Sequence, residues 1–166
     1  INTPNNNRVA ALKGGRQPLR NRSGLLGLNA CKLIPSKYAK RIKYEDSLVS
    51  GEDTVFMSQL LEFEDLTLVP CAPMAGSMYV RRMSDNSVSR QPESFDFCVT
   101  QRIAVINCLI ETRNRIHKKN AGAINYLIDN QASFIRKYYS SNPSRQREVK
   151  DFISSNCIDR KVVRLG

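Results

Sequence analysis

The sequence of 166 residues contains no tryptophan, a single histidine (His117) and no Cys-x-x-Cys pair. One histidine and five scattered cysteines offer too few suitably spaced ligands for a zinc site. No apolar run is long enough to cross a bilayer. We interpret the cysteines as free thiols that mostly fill the core, and we therefore expect a protein of the reducing cytoplasm.

Acidic side chains are missing from residues 1–43, which hold ten Lys or Arg residues. Residues 45–65 reverse this pattern with seven acids and no base, although the net charge of the whole chain is +11. A basic arm next to an acidic cluster favours an anionic partner near an acid-lined site. Nucleic acid, phospholipid and the phosphates of a small ligand all meet this condition, and a merely solvated basic surface gives the same pattern.

The first part of the chain carries the signals of short strands. Residues 1–24 are rich in Asn, Arg and Gly and predict loop or extended chain. A short helix is predicted over residues 36–42, with Ser36 as its N-cap. Apolar runs bounded by turn residues predict strands near residues 26–33, 66–71 and 77–81.

Helical periodicity begins at about residue 52 and returns from about residue 95. Another helix is predicted over residues 144–156, with Ser144 as its N-cap. We therefore predict the α/β class, with a first domain over residues 1–94 and a mostly helical region over residues 95–166. Two apolar stripes with helical spacing support the helical region, namely Val99, Ile103, Ile106 and Ile110, and then Ile124, Leu127, Ile128, Ile135 and Tyr138.

Two adjacent acids, Glu52 and Asp53, follow Gly51 and open the helix predicted from residue 52. Acids in the first turn of a helix are favoured by the free N–H groups and the helix dipole, so an ordinary helix start is one interpretation. The other interpretation is catalytic. A carboxylate at a helix N-terminus stays ionised, and such a carboxylate can accept a proton from a substrate hydroxyl.

A second group of polar side chains occupies the stretch "YVRRMSDNSVSR", residues 79–90. Guanidinium forks and hydroxyl groups suit the binding of a diphosphate. An exposed basic turn has the same composition. In this stretch Arg81, Arg82 and Arg90 lie among Tyr79, Ser84, Ser87 and Ser89.

The order of these segments resembles the second half of bacterial family 2-type glycosyltransferases with the GT-A fold, which build capsule and lipopolysaccharide. The segment "ACKLIPSKYA" at residues 30–39, the "GED" motif at residues 51–53 and the "YVRR" segment at residues 79–82 carry the resemblance, which covers about residues 24–92. It implies a partial GT-A-like layer with a few short strands. It also implies that Asp53 is the general base and that Glu52 either positions the acceptor or bonds the backbone. The residues that it places near the phosphates of a sugar nucleotide are Tyr79, Arg81, Arg82, Ser87 and Ser89.

The implied reaction is the transfer of a sugar from a nucleotide-sugar to a glycan or lipid-linked acceptor, with inversion of configuration. The family uses a divalent metal, Mg²⁺ or Mn²⁺, bound by an Asp-x-Asp motif in its first half. This sequence has neither an Asp-x-Asp motif nor a Gly-rich phosphate loop, so no metal ligands are identifiable in it. We therefore expect a fragment that lacks the donor-binding half of the enzyme.

A basic, helix-rich binding module is the alternative class, because the isoelectric point is about 9.7. A nucleic-acid partner is disfavoured, since no recognition motif occurs and aromatic residues do not alternate with the arginines. Basic residues next to Ile, Phe and Tyr suit an anionic membrane surface, which also fits a transferase with a lipid-linked acceptor at the inner face of the membrane. His117 is predicted to complement a helix C-terminus, and Tyr138 and Tyr139 are predicted to pack at the end of a helix.

Overall fold

A computed structural model describes residues 16–27, 32–69 and 93–165 of the chain. The elements of its first part are short, and none exceeds eight residues. They are strand β1 (Gln17–Pro18), a 3₁₀ segment (Leu19–Leu25), helix α1 (Ser36–Ala39), helix α2 (Glu52–Gln59), a 3₁₀ turn (Leu60–Glu62) and strand β2 (Thr67–Leu68).

The second part is almost entirely helical, as the sequence predicts. A π-helical turn (Asp96–Thr100) leads into α3 (Gln101–Arg115), which is followed by α4 (Ala121–Ser141) and α5 (Gln146–Asn156). Short 3₁₀ turns stand before α4, before α5 and after α5, at Lys118–Asn120, Pro143–Arg145 and Arg160–Val162. None of the described helices combines the length and the apolar content that a bilayer crossing requires.

The core lies where α3 packs against α4, and α2 covers another side of α3. Both predicted apolar stripes are confirmed, because their side chains are almost completely inaccessible to solvent. The removal of such side chains from water is the main driving force for this packing. The most deeply buried members are Val99, Ile103 and Ile106 of the first stripe, and Ile124, Leu127 and Ile135 of the second.

The described residues contain a two-stranded antiparallel sheet, in which Gln17 lies opposite Leu68 and Pro18 opposite Thr67. Strand β2 lies within the strand predicted near residues 66–71, whereas β1 belongs to the stretch predicted as loop or extended chain. At the coarse level of a mixture of helices and strands the predicted α/β class is confirmed, although helix dominates.

The strand predicted near residues 26–33 is wrong for the residues described. Leu26 is fully buried at the end of the 3₁₀ segment, where its N–H donates to the Ser23 carbonyl at 3.0 Å. Residues 32–35 have no regular structure. Leu26 is therefore buried by a turn rather than by strand pairing, whereas Leu33 is exposed to solvent. The strand predicted at residues 77–81 lies outside the described residues.

Three predicted helix-end roles are also wrong. Pro35, not Ser36, occupies the N-cap position of α1, because its φ of −57° suits a helix start and its carbonyl accepts from the N–H groups of Tyr38 and Ala39. Ser144 lies inside a 3₁₀ turn that begins at Pro143, since proline is preorganised for the first helical position. His117 caps the start of the next turn, where its Nδ1 accepts from Lys119 N–H at 3.2 Å.

The cysteines and tyrosines of the helical part match their predicted packing roles. The three described cysteines, Cys98, Cys108 and Cys157, are free thiols, and burial raises the pKa of each. Tyr138, near the end of α4, is only 3% exposed, and Tyr139 packs against the core from its edge.

Candidate active site

Gly51 gives the chain the sharp turn from which α2 begins. Its φ of +91° lies in the left-handed region, which side chains other than glycine rarely adopt. A β-carbon at this position would lie 2.7 Å from Cγ2 of Val105 in α3, closer than two carbon atoms can approach. The Gly51 carbonyl accepts hydrogen bonds from the N–H groups of Thr54 and Val55 and so starts the helix. Backbone conformation and close packing therefore both require glycine here.

Glu52 and Asp53 form the first turn of α2, as predicted, and both side chains are half-buried. No side chain caps this helix, so the two carboxylates lie in the positive field of its free N–H groups. The Tyr44 hydroxyl donates to Oδ1 of Asp53 at 3.3 Å, and the Tyr44 ring stacks on Phe56 with 4.2 Å between centroids. Successive helical side chains point about 100° apart, so the two acids face different surroundings.

The remainder of α2 is fixed by hydrogen bonds and by burial of its inner face. The Thr54 hydroxyl donates to the Gly27 carbonyl at 3.3 Å. The Gln59 amide donates to the Lys43 carbonyl at 2.8 Å and accepts from the Lys43 N–H at 3.4 Å. This pair of contacts joins the segment before Tyr44 to α2. The tyrosine is thereby held beside Asp53 by residues far from it in the sequence.

Arg102 of α3 lies directly beneath the Gly51 turn, and the sequence reasoning missed it. Its side chain is only 4% exposed, and its Nη1 lies 3.5 Å from where a β-carbon at Gly51 would stand. Its Nε donates to the Phe97 carbonyl at 3.1 Å, and Nη1 donates to Oε1 of Gln131 at 2.9 Å. The guanidinium also lies over the rings of Phe97 and Phe134. Its Nη2 is buried without a hydrogen-bond partner.

Burial lowers the pKa of Arg102, whereas the nearby Cys98 and Glu52 groups act to raise it. Arginine stays protonated in proteins because its ordinary pKa is so high. A full positive charge is therefore buried next to the acid pair. One signal in the sequence pointed to it, since Arg102 lies three residues from both Val99 and Val105 and thus interrupts an apolar helix face.

The second predicted group, Tyr79, Arg81, Arg82, Ser87 and Ser89, lies outside the described residues. Its approach to Asp53 stays a prediction. Within residues 16–27, 32–69 and 93–165, no three His, Cys, Asp or Glu side chains come together in a way that fits a metal ion. We therefore derive no chemical step that passes through a metal.

A small cavity of about 60 Å³ lies beside the sheet and is lined by residues such as Leu19, Leu61 and Lys119. Neither Glu52 nor Asp53 lines it. A cavity of this size holds at most a few water molecules. It is therefore too small to be a substrate site, and the acid pair remains the best candidate in the described part of the chain.

Comparison of the sequence and structure with protein-family models, with curated proteins and with solved structures gives no significant match.

Proposed function

We propose that this chain is the acceptor side of an inverting glycosyltransferase with a GT-A-like catalytic domain, and that Asp53 is its general base. The observation that carries this proposal is the geometry of the "GED" turn. Gly51 is required by a left-handed φ and by contact with Val105, and the turn presents a half-buried Asp53 carboxylate at a helix N-terminus.

In the proposed reaction, a carboxylate oxygen of Asp53 accepts the proton of the acceptor hydroxyl. The acceptor oxygen attacks the anomeric carbon from the face opposite the nucleoside diphosphate, and a new glycosidic C–O bond forms. The C–O bond to the diphosphate breaks, and its electron pair leaves with the diphosphate. One direct displacement inverts the configuration at the anomeric carbon. The proton on Asp53 then passes to solvent.

The proposed reaction also needs two groups that lie outside the described residues. Tyr79, Arg81, Arg82, Ser87 and Ser89 are proposed to bind the diphosphate of the nucleotide-sugar through charged hydrogen bonds. A divalent metal, Mg²⁺ or Mn²⁺, would supply positive charge to the leaving diphosphate in the complete enzyme. Its ligands are expected in the donor-binding half of that enzyme.

The basic segment that leads to Tyr44 supports a lipid-linked acceptor and a peripheral position at the inner face of the membrane. The side chains of Lys37, Lys40, Arg41 and Lys43 are exposed in the segment that leads to Tyr44, and Leu33 is 98% exposed beside them. Basic side chains around an apolar tip suit an anionic lipid surface. A lipid-linked acceptor bound there would reach the site along the surface of the membrane.

A transfer assay on the complete polypeptide that contains this chain tests the proposal. Nucleotide-sugars are incubated with Mg²⁺ or Mn²⁺ and with glycan and lipid-linked acceptors, and the anomeric configuration of any product is determined by NMR. The expected result is one preferred donor and an inverted product. A retained configuration would refute a single displacement with Asp53 as base, and the absence of product from every donor would refute the transferase assignment.

A further inference from the structure

Helix α3 buries Arg102 under the acid pair without an ion-pair partner among the residues that the structure describes. A buried charge loses its hydration, so proteins almost always pair it with a charge of opposite sign. The contacts of Arg102 are a backbone carbonyl, a side-chain amide and two aromatic rings. Such groups carry partial charges only. The full positive charge therefore still needs a counter-charge.

An external anion is a poor candidate for this role. Nη2, the nitrogen of Arg102 without a partner, is shielded from solvent. An anion that approached from outside would also meet the negative charges of Glu52 and Asp53. The counter-charge is therefore better sought among the acids of α2 itself.

The geometry distinguishes the two acids. The Gly51 turn brings the start of α2 to Arg102, since Nη1 lies 3.5 Å from where a β-carbon of Gly51 would stand. Asp53 is engaged elsewhere, because its Oδ1 accepts the Tyr44 hydroxyl. Glu52 follows Gly51 directly and has the longer side chain. The negative charge of Glu52 acts to raise the pKa of Arg102, against the effect of burial.

We propose that Glu52 is the counter-charge of Arg102 and that this pair is a positioning device, which fixes the Gly51 turn and leaves Asp53, bonded to the Tyr44 hydroxyl, to act as the base. The role of Asp53 in this inference rests on the proposed function. The coupling of Glu52 to Arg102 does not rest on it, because it concerns charge and packing alone.

A double-mutant cycle on the 166-residue chain tests the pair. Glu52→Gln and Arg102→Met are made singly and together, and melting temperatures are measured by circular dichroism. We expect Glu52→Gln to lower the melting temperature by about 2 to 4 °C more in the native background than in the Arg102→Met background. Asp53→Asn is the matched control, since it removes the neighbouring charge, and its effect should not depend on residue 102.

Additive effects of Glu52→Gln and Arg102→Met would overturn the inference, as would an equal or larger coupling between Asp53 and Arg102. If Arg102→Met does not fold, Arg102→Lys and Arg102→Gln replace it in the same cycle. The lysine background keeps the charge and should preserve the effect of Glu52→Gln, whereas the glutamine background should reduce it. A larger effect of Glu52→Gln in the glutamine background than in the lysine background would contradict a charge pair.

Kinetics in the complete enzyme separate positioning from a merely structural role. Arg102→Gln should lower kcat more than it raises KM, and Arg102→Lys should restore part of kcat. Coupling in the unfolding cycle without any transferase activity would leave the pair intact and refute the proposed function. Transferase activity together with additive effects in the cycle would support the proposed function and refute the pair.

Discussion

Two separate constraints at residue 51 demand glycine, and either one would suffice. The φ of +91° disfavours any side chain, and the Val105 methyl group fills the space that a β-carbon would need. Because Val105 is itself fully buried, it has little freedom to move aside. The position of Glu52 and Asp53 therefore depends on the absence of a β-carbon at residue 51.

The substitution Gly51→Ala tests these constraints. A left-handed φ costs an alanine about 1 to 2 kcal/mol, and overpacking against Val105 adds about 1 to 3 kcal/mol. We therefore expect the free energy of unfolding, measured with urea, to fall by about 2 to 5 kcal/mol. Gly122→Ala is the matched control, because Gly122 lies in α4 with nothing within 4 Å of its added β-carbon.

The control variant should gain about 0.5 to 1 kcal/mol, since alanine is the better helix former. Equal effects of the two substitutions would show that residue 51 does not depend on glycine.

At the scale of elements, α2 is joined to the helical region by a buried hydrogen bond as well as by apolar contacts. The Asn120 side chain, just before α4, donates to the Leu61 carbonyl at 2.8 Å, and Asn120 is only 4% exposed. This carbonyl belongs to the 3₁₀ turn that ends α2. The hydrogen bond therefore fixes the C-terminal end of the helix whose N-terminal end carries Asp53.

Asn120→Ala should leave the Leu61 carbonyl buried without a donor. The loss of one partner of a buried hydrogen bond costs about 1 to 3 kcal/mol, so the variant should unfold at a clearly lower urea concentration. Asn125→Ala is the control, because Asn125 accepts only an exposed hydrogen bond from Arg113. A loss for Asn120→Ala that does not exceed the loss for the control would contradict a buried anchor.

The sequence predicted the elements in which the spacing of apolar residues repeats over several turns. The stripes of α3 and α4 extend over several turns, and the start of α2 has glycine and two acids. Strand β1 has only two residues, so it shows no period, and its pairing with β2 depends on residues about fifty positions away. The environment of Arg102 could not be predicted from the sequence either, because Gln131 and Phe134 contact it from another helix.

At the scale of the whole molecule, charge is the dominant property. The net charge is +11, and the exposed basic side chains of residues 37–43 lie close to the segment that holds Tyr44 beside Asp53. Positive charge near an acid-lined site concentrates anionic partners around it. Leu33 adds an apolar side chain that is almost fully exposed to solvent.

We predict that the chain binds vesicles that contain phosphatidylserine, and that binding weakens steeply with added salt because exposed charges are screened. Lys37→Glu combined with Lys40→Glu should reduce binding in co-sedimentation. The control is Arg147→Glu combined with Lys150→Glu, which changes the net charge equally on the exposed side of α5. Equal retention on neutral and anionic vesicles would refute membrane binding, and tight, sequence-dependent DNA binding would favour the alternative module.

The central claim is that Asp53 is a base and not simply an acid in the first turn of a helix. In the complete enzyme, Asp53→Asn keeps the shape of the side chain but removes its ability to accept a proton. Loss of a general base typically lowers the rate about a hundred- to ten-thousand-fold. Loss of a helix-end contact costs only about 1 kcal/mol, which shifts a melting temperature by about 2 to 4 °C.

The decisive measurement is therefore kcat for Asp53→Asn together with its melting temperature, with Asp46→Asn as the control. Asp46 belongs to the same acidic cluster and is exposed. We predict that kcat falls at least about a hundredfold for Asp53→Asn, while its melting temperature changes little and the control keeps its rate. A near-normal kcat with a melting temperature lowered by a few degrees would contradict the claim and make Asp53 an ordinary helix-start residue.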